Sequence, residues 1–137
     1  MLTVDHRPAT AQDINFIFNS WLKSYRNSDF AKKIPNDVYF SEHKEKITAI
    51  LTNSTVLVAC NPDTPSQIFG YLVMSQEPVT VLHYVYVKYP YRKLGIARRM
   101  VEDLNPQVGK KLTLCSHANY YWPEISAKFK LVYNPYI

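Results

Sequence analysis

Residues 80–104 read TVLHYVYVKYPYRKLGIARRMVEDL, and the fold follows from how this stretch changes character. Val81 to Val87 is rich in β-branched and aromatic residues, the composition of a strand. Beyond it the period lengthens: Ile96, Ala97, Met100, Val101 and Leu104 share one helical face, and Arg98, Arg99, Glu102 and Asp103 share the other. The turn between them, Tyr91-Arg92-Lys93-Leu94-Gly95-Ile96-Ala97, is basic and places a glycine where the helix must start. A helix start leaves several backbone N–H groups without intrahelical acceptors. Those donors, the positive end of the helix dipole, and Arg92 and Lys93 together suit a phosphate or pyrophosphate. Gly95 lets the backbone approach such an anion with no Cβ in the way.

Working toward the N-terminus, Ile68 to Ser75 and Thr55 to Cys60 are strand runs. Asn61-Pro62-Asp63-Thr64-Pro65-Ser66 forms a turn cluster between them. With the short Glu77-Pro78 connection these strands and Val81–Val87 make an antiparallel meander. Upstream, His43, Ile47, Ile50 and Leu51 predict a helix from Val38 or Ser41 to Leu51. Asn27 to Asp37, with Pro35, is a loop. Ile14, Ile17, Phe18, Trp21, Leu22 and Tyr25 predict a helix over Ala11–Arg26, opened by a capping box between Thr10 and Asp13. Leu2 to Arg7 is a short strand ended by Pro8.

Toward the C-terminus, Asn105-Pro106 and Gly109 stop the helix and Lys111–Cys115 is a strand. The strand–helix–strand unit predicts a right-handed crossover with parallel strands. Ser116 to Tyr121 is polar and aromatic, Glu124–Phe129 is a short helix led by Pro123, and Leu131–Tyr136 is a terminal strand. No repeat, low-complexity run or linker interrupts the chain.

The motif Arg92-Lys93-Leu94-Gly95-Ile96-Ala97 resembles the R/Q-x-x-G-x-G/A signature of the GNAT family of N-acetyltransferases. The order β-α-α-β-β-β-α-β-α-β resembles that family along essentially the whole chain, as does the opening Arg7-Pro8-Ala9-Thr10 with Asp13. Asn119 and Lys128-Phe129-Lys130-Leu131 resemble the family's later motif, N-x6-Y-x-K-L-G-F. The resemblance implies one α+β domain over residues 1–137: a three-layer arrangement with a mixed, mostly antiparallel sheet, a splayed parallel strand pair and helices on both faces. It implies acetyl-CoA as co-substrate, held by the backbone of Val85, Tyr86 and Val87 and by the amides of Arg92, Lys93, Leu94, Gly95, Ile96 and Ala97, with Asn119 assisting. The acetyl group passes directly to an amine acceptor, either a small molecule or a protein amine.

That chemistry needs a base, an oxyanion donor and an acid for the departing sulfur. A backbone N–H near Tyr86 or Val87 is the expected oxyanion donor. His83 is the candidate base, since it lies on the central strand and by the two-residue period shares the face of Val85 and Val87. The acid departs from the family pattern: its usual tyrosine falls at Ser126 here, a far weaker acid. Tyr121, Tyr133 or a water held by Ser126 could substitute. Lys130 also stands in place of the motif's glycine. His43 and Tyr39 could reach the acceptor, although surface or packing roles suit each.

Composition bounds the alternatives. At 137 residues, 47% hydrophobic and 20% charged, the chain is one ordinary globular domain. A net charge of +5 favours an anionic partner. Cys60 and Cys115 each end an apolar run and read as core thiols, and no spacing suggests a metal site. No membrane-length apolar run or signal peptide is visible, so a cytoplasmic location and no membrane partner are expected. Two other readings stand beside the transferase: a coenzyme A-binding regulatory protein, prompted by Ser126, and a nucleic-acid-binding module. The second rests on the alternating aromatic and basic residues from Tyr84 to Arg92. Val81, Val85 and Val87 speak against nucleic acid by marking a buried strand. A homodimer remains open.

Overall fold

A computed structural model describes residues 2–76, 79–106, 113–118, 126, 129 and 131–136. Its elements are β1 (Asp5–Pro8), α1 (Ala11–Tyr25), α2 (Asn36–Thr52), β2 (Thr55–Cys60), β3 (Ile68–Ser75), β4 (Val81–Val87), α3 (Ile96–Leu104), β5 (Thr113–Cys115) and β6 (Leu131–Tyr133). The six strands lie side by side in chain order. β1 to β4 run antiparallel, as a meander must, while β4/β5 and β5/β6 are parallel. The sequence predicts one parallel pair; the sheet has two. Ser126 and Phe129, ahead of β6, have helical backbone, and parallel neighbours are joined by crossover connections of that kind. The rest of the predicted Glu124–Phe129 helix, with Lys111, Asn119 and Tyr121, lies outside the described residues.

Several boundaries move for visible reasons. α2 begins at Asn36, ahead of the predicted start, because Pro35 presets the entry and Arg26 ties the preceding loop down. The Arg26 guanidinium donates to Asn36 Oδ1 at 2.6 Å and to the Ile34 carbonyl at 2.8 Å. A single 3-10 turn, Ala31–Lys33, sits inside that loop. β6 ends at Tyr133 rather than Tyr136, since the chain turns at Asn134, whose Oδ1 accepts the Tyr136 N–H at 3.0 Å. At α1 the Asp13 carboxylate accepts the Thr10 N–H at 2.7 Å and an Arg7 N–H at 2.6 Å. The Arg7 hydrogen bonds hold the carboxyl down at about 2 and pin the helix start to β1.

The sheet is buried on both faces. Leu72, Met74, Leu82, Val85, Val87 and α3's Ile96, Ala97, Met100 and Val101 form one core. Trp21, Tyr25, Tyr39, Ile47, Val58, Tyr71, Val73 and Tyr84 form the other, beneath α1 and α2. This is the predicted three-layer α+β arrangement. At Gly70 a Cβ would stand 2.4 Å from the Tyr86 carbonyl oxygen, so only glycine lets β3 and β4 approach this closely.

Candidate functional site

Two features of β4 create the site. The first is a bulge: Val73 pairs with Tyr84 but Met74 pairs with Leu82, leaving His83 as an extra residue. Alternation therefore restarts at His83. Leu82, Val85 and Val87 belong to the α3-side core, whereas Tyr84 and Tyr86 pack with the α1–α2 side. His83 does not share the face of Val85 and Val87, contrary to the sequence expectation. Its bonding partners join it to the histidines beneath α1 and α2, and the inserted residue is the physical reason.

The second feature is a parting of strands. The β4–β5 ladder pairs Val81 with Leu114 and Leu82 with Cys115, and the Ser116 N–H still donates to the Leu82 carbonyl at 3.2 Å. β4 then runs on to Val87. The Lys88 N–H donates to the Phe69 carbonyl at 2.9 Å, which makes Gly70–Val87 and Leu72–Val85 the non-hydrogen-bonded pairs of the β3–β4 ladder. The backbones of Val85 and Val87 thus face the β5 side, and that of Tyr86 faces β3. Of the two expected oxyanion donors, Tyr86 is turned away from the gap.

Past the end of β4 the chain makes a 3-10 turn, Tyr89–Tyr91, and reaches the basic loop. Lys93 and Gly95 both adopt positive φ, 65° and 80°, so successive N–H groups are turned to one side as in an anion-binding nest. Gly95 is the residue before α3 and has no side chain with which to cap the amides of Ile96, Ala97 and Arg98. The Arg92 guanidinium folds back, its Nε donating to the Val87 carbonyl at 2.8 Å and its plane lying 5.5 Å from the Tyr89 ring centre. Arg99 Nη2 donates to the Leu94 carbonyl at 2.9 Å and ties the loop to the helix. Leu94 is exposed, whereas Ile96 and Ala97 are buried and anchor the helix start in the α3-side core.

Beneath α1 and α2, at the parting of β4 and β5, lies a cluster the sequence reading did not assemble. Ser75 Oγ is 3.0 Å from His83 Nε2, and His83 Nδ1 is 2.8 Å from Ser116 Oγ. Ser116 Oγ is 2.7 Å from His117 Nδ1, and His117 Nε2 is 3.1 Å from His43 Nε2. Burial lowers His43 and His83 to about 4, with Lys46 adding to the effect. His117, deeper still, is held well below the usual histidine range by burial first, and then by His43, Lys46 and His83. All three are neutral at pH 7. Aromatic rings wall the cluster: Tyr25 lies 4.6 Å from His117 and 5.3 Å from His43, and Trp21 stacks on Tyr84 at 5.0 Å. The Trp21 indole N–H is buried with no acceptor among the described residues.

The other sequence candidates fall as follows. Ser126 is half-buried. Tyr133 exchanges a hydrogen bond of 2.9 Å with Tyr25 and has its hydroxyl pushed up by burial. Asn119 and Tyr121 lie outside the described residues. Cys60 and Cys115 are buried free thiols, and burial pushes Cys115 up to about 12. His43 was visible as a helix-face residue; His117, beside Ser116 at a strand end, carried a signal only through the crossover that sets Ser116 next to His83. Among the described residues no group of three or more His, Cys, Asp or Glu side chains could hold a metal ion. No described helix is long and apolar enough to cross a membrane.

The chain shares this architecture with many solved structures. A Pyrococcus furiosus protein provisionally named an acetyl transferase superposes with a TM-score of 0.64 at 17% identity, over 92% of this chain and 91% of its own. A GCN5-related N-acetyltransferase from Rhodopseudomonas palustris gives 0.59 at 17% identity, over 93% and 81%. The PaiA N-acetyltransferase from Thermoplasma acidophilum, solved in complex with coenzyme A, gives 0.53 at 14% identity, over 77% and 71%. No family model and no curated protein sequence matches. At these identities the likeness establishes the fold, and the fold is that of the GNAT acetyltransferases.

Proposed function

We propose that the protein is an acetyl-CoA-dependent N-acetyltransferase acting on a primary amine. One observation carries this reading: the strand that parts from its neighbour leads straight into a glycine-started helix whose first amides have no capping side chain. The residues suit the co-substrate. The amides of Lys93 to Ala97, with the Lys93 side chain, take its diphosphate, and the backbones of Val85 and Val87 meet its pantetheine arm. Tyr86 and Arg92 flank that path through ring and guanidinium, and Asn119 remains a proposed contact. Acetyl-CoA brings the activated acetyl group.

The chain's own residues do the rest. An amide of Val85 or Val87 donates to the carbonyl oxygen as it gains charge. His83, neutral and enclosed by Ser75 and Ser116, takes up the nitrogen's proton, directly or through groups hydrogen-bonded to it, once bonding to the carbonyl carbon has made that nitrogen acidic. Holding amine and thioester together between two walls supplies much of the rate. The sulfur takes its proton from Tyr121, Tyr133 or water near Ser126.

A second reading is favoured by Ser126: a GNAT fold that binds coenzyme A and regulates. Thermal-shift titration with acetyl-CoA, other acyl-CoAs and free CoA, followed by a thiol-release assay over a broad amine panel, separates the two. Stabilisation with amine-dependent thiol release supports the transferase; stabilisation without turnover supports the regulator. No stabilisation by any CoA removes both. Nucleic acid is disfavoured by Tyr84, which is fully buried against Trp21 and offers no stacking platform.

A further inference from the structure

The proposed base is one member of a longer chain. Ser75, His83, Ser116, His117 and His43 come from β3, the β4 bulge, the end of β5 and α2, and each meets the next through a hydrogen bond of 2.7–3.1 Å. A neutral imidazole carries one N–H and one lone pair, and a hydroxyl donates once. With the Ser116 proton kept within the chain, two arrangements fill all four contacts. In one, donation runs from His43 through His117, Ser116 and His83 to Ser75; in the other it runs the opposite way. Passing from one to the other shifts one proton along every link. One proton enters at one end and one leaves at the other, and no link becomes charged overall.

The placement of the chain gives it direction. His117 follows β5 on the side where β4 and β5 part, and with His43 it sits among Trp21, Tyr25 and Tyr39. Ser75 lies under the closed part of the sheet, pairing with Val81, and is half-buried. His43, His83 and His117 are each at least 93% shielded from solvent, so water competes little for these contacts. The charged and titratable groups facing the chain are Lys46 and Tyr39 from α2 and Tyr25 from α1.

We propose that this five-residue chain is a proton relay, running from the parting of β4 and β5 to the surface at Ser75. The inference rests on the transferase reading for its proton source. As the acceptor nitrogen bonds to the acetyl carbon and the carbon–sulfur bond breaks, the thiolate leaves with the electron pair and is protonated from its own side. The nitrogen's proton enters the chain at the His117–His43 end, and the proton displaced at Ser75 passes to bulk water. Ser116 is the link on which everything turns, since its single hydroxyl joins two imidazoles. His117 and His43 are positioning and relay residues, and His83, carried by β4 itself, passes the proton on to Ser75.

The test has an arm that needs no turnover. In histidine-15N spectra at pH 7, donation toward Ser75 requires N–H on His43 Nε2, His117 Nδ1 and His83 Nε2; the opposite direction requires the complementary set. His43→Gln shifts the His83 signals in the otherwise unaltered protein and leaves them unmoved in a Ser116→Ala background. His83 signals that ignore His43→Gln when Ser116 is present overturn the relay, whether or not the protein turns over.

The kinetic arm uses the proton inventory in mixed H2O and D2O. A curved inventory, straightened by Ser116→Ala together with a fall in kcat of about tenfold to a hundredfold, supports the relay when KM for acetyl-CoA holds and Ser116→Thr restores the curve. A straight inventory in the unaltered enzyme overturns it. Absence of thiol release with every amine instead refutes the transferase reading, and the spectra then decide the relay's existence alone.

Discussion

Replacing Gly95 distinguishes an anion-binding loop from an ordinary turn, because the structure separates the cost to the fold from the cost to the ligand. Gly95 has a φ of 80°, and a Cβ built there meets nothing nearer than Arg98 Nη2 at 3.6 Å. Gly95→Ala therefore loses stability only through the left-handed backbone, about 1 kcal/mol. Gly95→Asp carries the same backbone cost and regains part of it, since a carboxylate at a helix start is favoured by about 0.5 kcal/mol. Binding responds differently. A carboxylate about 4 Å from one phosphate charge, at an effective dielectric near 20, is repelled by about 4 kcal/mol. That is roughly three decades in Kd, or about two after screening at an exposed rim. Isothermal titration with CoA beside urea unfolding reads both quantities. Gly95→Asp should bind at least about a hundredfold more weakly while unfolding within about 1 kcal/mol of the parent, and Gly95→Ala should bind within about tenfold. Affinity of Gly95→Asp within twofold of the parent would mean that the loop holds no phosphate.

Acidification should destabilise the fold from about pH 6.5 downward. His43 and His83 sit at about 4 against 6.5 for a free histidine, so between those values the unfolded chain takes up protons that the folded one refuses. Stability is complete above pH 6.5 and falls as pH drops toward 4. Each such histidine is worth at most about 3.4 kcal/mol, and halving each for partial contact with water leaves about 3 kcal/mol for the pair. Urea melts followed by Trp fluorescence at pH 7.5, 6 and 5 read it; a flat profile contradicts the buried cluster. The Arg7–Asp13 pair stabilises fully above pH 3.8, and its share is lost only at lower pH, as pH falls from 3.8 through about 2. Gly70→Ala forces a Cβ to 2.4 Å from the Tyr86 oxygen, a backbone contact that cannot step aside, and should cost about 2–4 kcal/mol; a loss under 1 kcal/mol would mean that β3 and β4 are more loosely joined. Ser126→Tyr should raise kcat without tightening CoA binding, measured by thiol release against calorimetry, and an unchanged kcat would show that the sulfur is not waiting on a better acid there.

Where neighbouring residues carry the signal, the fold was legible. β2 and β3 run between the predicted residues, because turn-forming clusters flank uniformly apolar runs, and α3 shows its buried stripe of Ile96, Ala97, Met100 and Val101. The face assignment of His83 failed for a physical reason. Five of the seven residues of β4 are apolar or aromatic and fully or nearly buried, and His83 itself is buried. A strand covered on both sides has no polar-out alternation to read, so only its register against β3 reveals the extra residue. The histidine cluster was hidden for a related reason. His43 shares a helix face with Ile47, whereas His117 stands two residues beyond the end of a strand of three residues. Their meeting depends on three long-range choices: the parallel crossover, the docking of α2 and the bulge. None of these is a local property of sequence.

The bulge accounts for the division of labour across the sheet. Were His83 paired in a regular ladder instead of bulged out, the alternation that places Leu82 on the α3 side would put Tyr84 and Tyr86 there as well, and the backbones of Val85 and Val87 would face β3. One extra residue at His83 reverses both relations beyond it. The phenols of Tyr84 and Tyr86 enter the α1–α2 layer, where Tyr84 meets Trp21 and shares a hydrogen bond with Ser24. The same shift turns the backbones of Val85 and Val87 toward β5, in line with the loop that starts α3. Backbone recognition and side-chain proton chemistry are thus set on different sides of one strand by a single insertion. It follows that deleting His83 removes the bulge while leaving Val73 opposite Tyr84 and Met74 opposite Leu82, so it should abolish proton transfer yet keep the peptide groups of Val85 and Val87 aimed at β5 and spare coenzyme binding. His83→Ala keeps the residue count, so it should spare coenzyme affinity and lower turnover alone. A coenzyme affinity more than about tenfold weaker in the deletion than in His83→Ala would refute His83 as the extra residue of the strand.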